Sequence, residues 1–195
     1  MKRFLLTMMA TTSLIGAVQA ETLDTITVAG GCYWCVESDF ESVQGVKEAV
    51  SGFAGGTIAN PTYEQVSDDN TGHYEAVEVT FDSEVVSRRE LYDFFFRSVD
   101  PLDAGGQFCD RGDSYRTAIF ANSDDITDAQ AALASAQAEL GQNIVTPILK
   151  AQTFYKTHDG HQDYYKKHSL KYGYYRKACG RDARVEALWG ESVKH

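Results

Sequence analysis

The stretch Thr25-Ile26-Thr27-Val28-Ala29-Gly30-Gly31-Cys32-Tyr33-Trp34-Cys35-Val36-Glu37 changes its period partway along. Thr25 to Ala29 alternates, with Ile26 and Val28 on one face, which is the pattern of a half-buried strand. Gly30-Gly31 ends it. From Cys32 onward, Cys32, Val36, Phe40 and Val43 fall on one helical stripe, and Gly45 follows as a stop. A strand running through two glycines into a helix places Cys32 at the helix start. Free N–H groups and the positive end of the helix dipole favour a thiolate there.

Working outward, Val46 to Ala54 reads as a second strand, and Gly55 to Gly72 as a polar loop holding Pro61 and Tyr63. Tyr74 to Asp82 alternates cleanly and reads as a third strand. Ser87-Arg88-Arg89-Glu90 has the pattern of a capping box. The helix it opens carries Leu91, Phe94 and Phe95 on one face and stops before Asp100-Pro101. A long loop leads to a strand at Tyr115 to Phe120. Thr127-Asp128-Ala129-Gln130 is a second capping-box pattern, opening an alanine-rich helix that ends at Leu140-Gly141. Pro147 to Thr157 reads as a strand and His161 to Tyr172 as a helix, followed by a basic tail. Helices mixed with antiparallel pairings predict an α+β two-layer sandwich rather than a doubly wound parallel sheet.

The chain has 195 residues and a formal charge of −10. An acidic chain without a basic stripe argues against nucleic acid and anionic lipid as partners. Lys2-Arg3, the mainly apolar run Phe4 to Val18 and the small residues of Val18-Gln19-Ala20 together form the pattern of a secretory signal peptide, with cleavage expected after Ala20. The run is shorter than the roughly 20 apolar residues of a membrane span, so no stable membrane insertion is expected. Residues 21–195 are then expected to form one catalytic domain, in an oxidising, periplasmic setting.

Four cysteines stand at 32, 35, 109 and 179. Cys32 and Cys35 lie one helical turn apart, on the same side. The pair admits three readings: a structural disulfide, half of a four-cysteine zinc site, or a redox pair. A non-enzymatic domain would clasp itself with Cys32–Cys35 and Cys109–Cys179 disulfides. A thioredoxin-like disulfide oxidoreductase would use Cys32 and Cys35 directly, with Thr146-Pro147 as that fold's cis-proline. Zinc lacks the second close pair usual in structural sites. His158, His161 and His168 have no metal-ligand spacing with carboxylates and read as loop and helix-surface residues.

On the third strand Glu75 shares parity with Val77 and Val79, so it points to the core side. Burial would raise its pKa and keep it protonated near neutrality. A thiolate and a protonated carboxyl form a useful pair, because one attacks an electrophilic atom while the other protonates the oxygen leaving it.

Four blocks follow in order: Gly31-Cys32-Tyr33-Trp34, Asn60-Pro61-Thr62-Tyr63, Thr71-Gly72-His73-Tyr74-Glu75-Ala76-Val77 and Tyr115-Arg116-Thr117-Ala118-Ile119. Together, over roughly residues 26–172, they resemble the A-type peptide methionine sulfoxide reductases. The resemblance implies a ferredoxin-like mixed sheet and reduction of methionine S-sulfoxide, free or in peptides and proteins. It implies no metal or organic cofactor, and a thioredoxin-like reductant as partner. It implies Cys32 as nucleophile and Glu75 as the acid, with Tyr63 and Tyr115 holding the sulfoxide oxygen. Tyr33 and Trp34 would wall a pocket for the substrate methyl, and Asp110 would order the pocket's polar side.

Two positions depart from the family pattern, which often has Phe at Tyr33 and Gly at Cys35, although one branch carries Cys. Attack leaves Cys32 as a sulfenic acid, which condenses with a second thiol. Cys179, in a C-terminal segment that reads as mobile and basic, is the favoured resolving cysteine, with Cys35 as the alternative. Cys109 is expected to be buried in the loop beside Asp110.

Overall fold

The structure is a computed structural model that describes residues 21–68 and 70–190. The signal peptide expected at residues 1–20 lies outside the described residues. Strand β1 (Leu23–Gly30) leads into helix α1 (Tyr33–Glu41), then β2 (Val46–Ala54), the short α2 (Tyr63–Ser67) and β3 (Tyr74–Asp82). Helix α3 (Arg88–Ser98) follows, then a two-strand ribbon, β4 (Gly106–Gln107) and β5 (Asp110–Arg111), and β6 (Thr117–Ala121). The chain continues through α4 (Ile126–Leu140), β7 (Ile148–Lys150), β8 (Tyr155–Lys156), α5 (Tyr164–Lys167), α6 (Ser169–Ala178) and α7 (Arg181–Trp189).

The main sheet runs β7-β6-β1-β3-β2-β8. Its four central strands are antiparallel, with β1 between β3 and β6 and β3 between β1 and β2. Taken with the crossover helices α1 and α3, that is the ferredoxin-like arrangement. Ile26, Val28, Val77, Val79 and Phe81 meet Val36, Phe40, Leu91 and Phe95 in the main core, between the sheet and its helices. On the other face a smaller cluster of Ala29, Ala54, Ala76, Ala118, Tyr74 and Phe120 is covered by Leu149 and Phe154.

The strand expected from Pro147 to Thr157 is two short strands on opposite edges of the sheet. β7 pairs parallel with β6, and β8 pairs antiparallel with β2. The segment between them crosses the small-residue face. A Cβ on Gly52 would come within 2.4 Å of Phe154, so the chain lies directly on the sheet there.

The Ser87 capping box forms, with both reciprocal bonds to Glu90 present. The one expected at Thr127 does not, because α4 starts at Ile126 and its N-cap is Asp125, which gives no side-chain cap. Asp125 is engaged elsewhere, accepting from Asn122 N at 2.5 Å and from the Tyr92 hydroxyl at 2.7 Å.

The expected basic tail is instead the helix pair α6 and α7. Two of its cations, Arg176 and Arg181, turn inward, while Lys171, Lys177 and Arg184 stay exposed. Arg176 pairs with Asp39 of α1 at 2.7 Å and with Asp182 at 2.6 Å. Arg181, 2% exposed, lies 3.4 Å from Asp39 and donates to the carbonyls of Gly30 and Ser98.

Candidate active site

The turn between β1 and α1 is built around Gly31, at φ +82°. A Cβ there would sit 2.5 Å from the Cβ of Gln107, so the turn needs glycine twice over, for its backbone angle and for the close approach. Gln107 is itself fixed, with its amide exchanging bonds with Asp100 N and O at 2.9 and 2.8 Å. Cys32 is the N-cap of α1, and its carbonyl accepts from Cys35 N at 3.0 Å and Val36 N at 3.3 Å. Both Cys32 and Cys35 are buried free thiols.

Glu75 projects from β3 toward this helix end and is 3% exposed. Its Oε2 accepts from Tyr33 N at 3.0 Å. Burial lifts its pKa to about 8, against the lowering effect of that bond, with Asp110 and Cys35 adding to the rise. Near neutrality it is therefore a proton donor.

Burial also pushes the Cys32 thiol up, aided by the neighbouring Cys35 and Glu75. Cys35 is lowered, first by its hydrogen bond with Cys32 and then by Arg181 and Arg176. The helix start was expected to favour a thiolate on Cys32. In the resting pair burial outweighs it, and Cys35 is the more acidic sulfur.

The aromatic residues expected around the thiol come together. Trp34 stacks flat on Tyr164, with ring centroids 3.7 Å apart, and meets Tyr175 edge-on at 6.1 Å. Tyr33 is almost fully buried, and its hydroxyl is bonded to His161 Nδ1, which gives the added phenol a partner. Tyr63 and Tyr115 stand close enough to each other, and Tyr115 to Glu75, for each to raise the Tyr115 pKa. Asp110 of β5 accepts from the Tyr175 hydroxyl.

Cys179 was expected as a free thiol on a mobile segment. It is instead bonded to Cys109, with Cα atoms 4.9 Å apart, at the corner between α6 and α7. Cys109, expected to be buried, is exposed. The zinc reading needs four thiolates, and two of these sulfurs are joined to each other. Of the two disulfides in the clasped-domain reading, one is present, and Cys32 and Cys35 are free. No peptide bond among the described residues is cis, so the thioredoxin-type proline has no counterpart at Pro147.

Sequence reasoning missed three participants. His161, read as a surface residue, touches the rings of Tyr33, Trp34 and Tyr63. Its loop is docked by the neighbouring Gln162, whose side-chain amide pairs with Ser51 N and O at 3.0 and 2.8 Å, as a strand would. Glu37 completes the dock by accepting from Asp163 N at 2.6 Å. Tyr175 and Arg181 were read as part of a tail. A dense alternation of aromatic and basic residues, unusual for a solvated tail, was the available signal.

A helix-capping thiol with a second thiol beside it, a protonated carboxyl and an aromatic surround define a thiol-dependent reductase of an oxygen-bearing substrate. The peptide methionine sulfoxide reductase family profile matches residues 24–193. The chain belongs to that family and reduces methionine sulfoxide at the expense of thiols. It is 50% identical over 164 residues to a peptide methionine sulfoxide reductase MsrA 2 of Rhizobium meliloti (strain 1021), covering 84% of this chain and 82% of that one. The crystal structure of Mxr1 from Saccharomyces cerevisiae in reduced form matches with a TM-score of 0.72 and 30% identity, over 80% of this chain and 93% of that one. Mxr1 in complex with Trx2 matches with a TM-score of 0.52 and 25% identity, over 78% of this chain and 94% of that one.

Proposed function

We propose that this chain repairs secreted proteins by reducing their methionine S-sulfoxides, with Cys32 as nucleophile, Glu75 as acid and Cys35 as the first resolving thiol. The observation that carries this reading is the buried cluster of two free thiols and a carboxyl with a pKa of about 8 at one helix end. The Cys32 sulfur attacks the sulfoxide sulfur while Glu75 gives its proton to the oxygen. The bond between the two sulfurs and the substrate S–O bond then break as the hydroxyl passes to the Cys32 sulfur, so the thioether leaves and Cys32 holds the oxygen as a sulfenic acid. Tyr63 and Tyr115 donate to the oxygen during attack, Trp34 and Tyr33 hold the methyl end, and Asp110 orders the polar side. Attack by Cys35 on the Cys32 sulfur then forms a disulfide and releases water.

Cys35 is preferred to Cys179 because it is free and adjacent, while the Cys179 sulfur is held by Cys109. A thioredoxin-type dithiol reopens the Cys32–Cys35 bond, as the complex of Mxr1 with Trx2 supports. The Cys109–Cys179 disulfide suits an oxidising compartment. With the signal-peptide pattern at residues 1–20, it supports cleavage after Ala20, export and a periplasmic setting for the remaining chain as one catalytic domain. Among the described residues no helix is long and apolar enough to cross a membrane.

The test is Cys32→Ser assayed on both epimers of a methionine sulfoxide peptide. Loss of all reduction, with the unsubstituted protein acting only on the S epimer, is the expected result. Turnover by the serine variant would remove Cys32 from the role.

A further inference from the structure

The mechanism leaves one polar group at the reacting sulfur without a task, the hydroxyl of Tyr175. It donates to Asp110 Oδ2 and interacts with the Cys32 thiol, whose pKa it lowers. Its ring stands edge-on to Trp34 and packs on the cluster of Cys32, Cys35, Tyr164 and Tyr172. Its placement is fixed from both sides. Cys179 follows Tyr175 by one helical turn, and Cys109 precedes Asp110 by one residue, so the Cys109–Cys179 disulfide ties the phenol's helix to the loop bearing its carboxylate partner.

We propose that Tyr175 is a catalytic residue, donating its phenolic proton in a hydrogen bond to the Cys32 sulfur as that sulfur becomes a thiolate, and that the Cys109–Cys179 disulfide is the clamp that holds it there. The inference rests on Cys32 being the nucleophile.

The proton balance closes within the site. The groups facing Cys32 are Cys35 on its own helix, Glu75 on β3 and Tyr175 on α6. Arg181 and Arg176 face Cys35. Cys32 and Cys35 are hydrogen-bonded to each other, and when the pair carries one negative charge the shared proton moves to the Cys35 sulfur as Cys32 attacks. Tyr175 turns from Asp110 to the new thiolate and keeps its own proton, because burial and the two sulfurs hold its pKa far above neutrality. Glu75 stays protonated for the sulfoxide oxygen. The clamp forms and breaks no bond during turnover. Losing the phenol removes a donor from the charged form of Cys32, so the Cys32 pKa rises.

Tyr175→Phe keeps the ring and removes only the hydroxyl. Two readouts are taken on it and on the double variant Cys109→Ser/Cys179→Ser: the single-turnover rate on S-sulfoxide peptide at neutral pH, and the pH profile of Cys32 alkylation followed by mass spectrometry. Tyr175→Phe is expected to slow the first by tenfold or more and to shift the second to higher pH by about one unit or more. The clamp variant is expected to move both the same way, and adding Tyr175→Phe to it to change little more, since both act through one contact. An alkylation profile unchanged in Tyr175→Phe would overturn the proposal, because a packing role alone leaves the pH profile in place. Full additivity of the variants would overturn the clamp. Cys32→Ser run alongside separates the two levels: if it still reduces sulfoxide, the reading beneath fails. If it is dead and Tyr175→Phe behaves as the parent, only this inference fails.

Discussion

Glu75 has the strand parity of Val77 and Val79, a position that normally carries an apolar side chain, and the fold buries it. Its carboxyl is held protonated up to about pH 8, chiefly by desolvation. As pH rises through that value the proton is lost, and with it the acid proposed to protonate the sulfoxide oxygen. The single-turnover rate is therefore expected to fall as pH passes about 8. Glu75→Gln should lower that rate by roughly 10²- to 10⁴-fold, the usual range for a general acid, and remove this limb of the profile. A rapid-quench series across pH checks both, and a Gln variant with the parent's rate would take the acid role away from Glu75. The residue could be found in the sequence because a charged side chain broke a period-two pattern. The sulfur acidities could not, since they depend on burial and on Arg181 and Arg176, which arrive from the far end of the chain.

The helix pair α6 and α7 shows why local reading failed there. Its arginines looked like a solvated tail, but two of them converge on Asp39, which is fully buried in α1. Arg181 also spans from α7 to the carbonyl of Gly30, immediately before the active-site turn, and lies over the Phe108 ring at 4.8 Å. A buried charge network is destabilised strongly when one partner is removed, by roughly 3–5 kcal/mol. Arg181→Ala is expected to show a loss of that order in urea unfolding, together with weaker sulfoxide turnover, because the support under the Gly30-Gly31 turn goes with it. A loss below about 1 kcal/mol would mean that α7 is not a structural part of the site. Elements set by local chemistry were legible: β3 lies where period two places it, β2 spans the expected Val46 to Ala54, and the Ser87 cap forms. The Thr127 pattern failed because Asp125, two residues earlier, is drawn to Tyr92 and Asn122 and fixes the start of α4.

At the scale of the molecule, the antiparallel core β6-β1-β3-β2 and its crossover helices carry the two thiols and the acid, and the C-terminal third closes over them. The core's order was readable because each element has its own period and stop. The closure was not, because it is made by single side chains, His161, Gln162, Tyr175 and Arg181, each contacting residues more than 60 positions away. The closure also divides the four cysteines into two pairs of different standing, a joined pair proposed to position and a free pair proposed to turn over. Mapping disulfides by mass spectrometry before and after one equivalent of methionine S-sulfoxide, without added reductant, tests this division directly. The expected map has Cys109–Cys179 in both samples and Cys32–Cys35 only in the second. A Cys32–Cys179 bond, or free Cys32 and Cys35 thiols after the sulfoxide has been consumed, would contradict it.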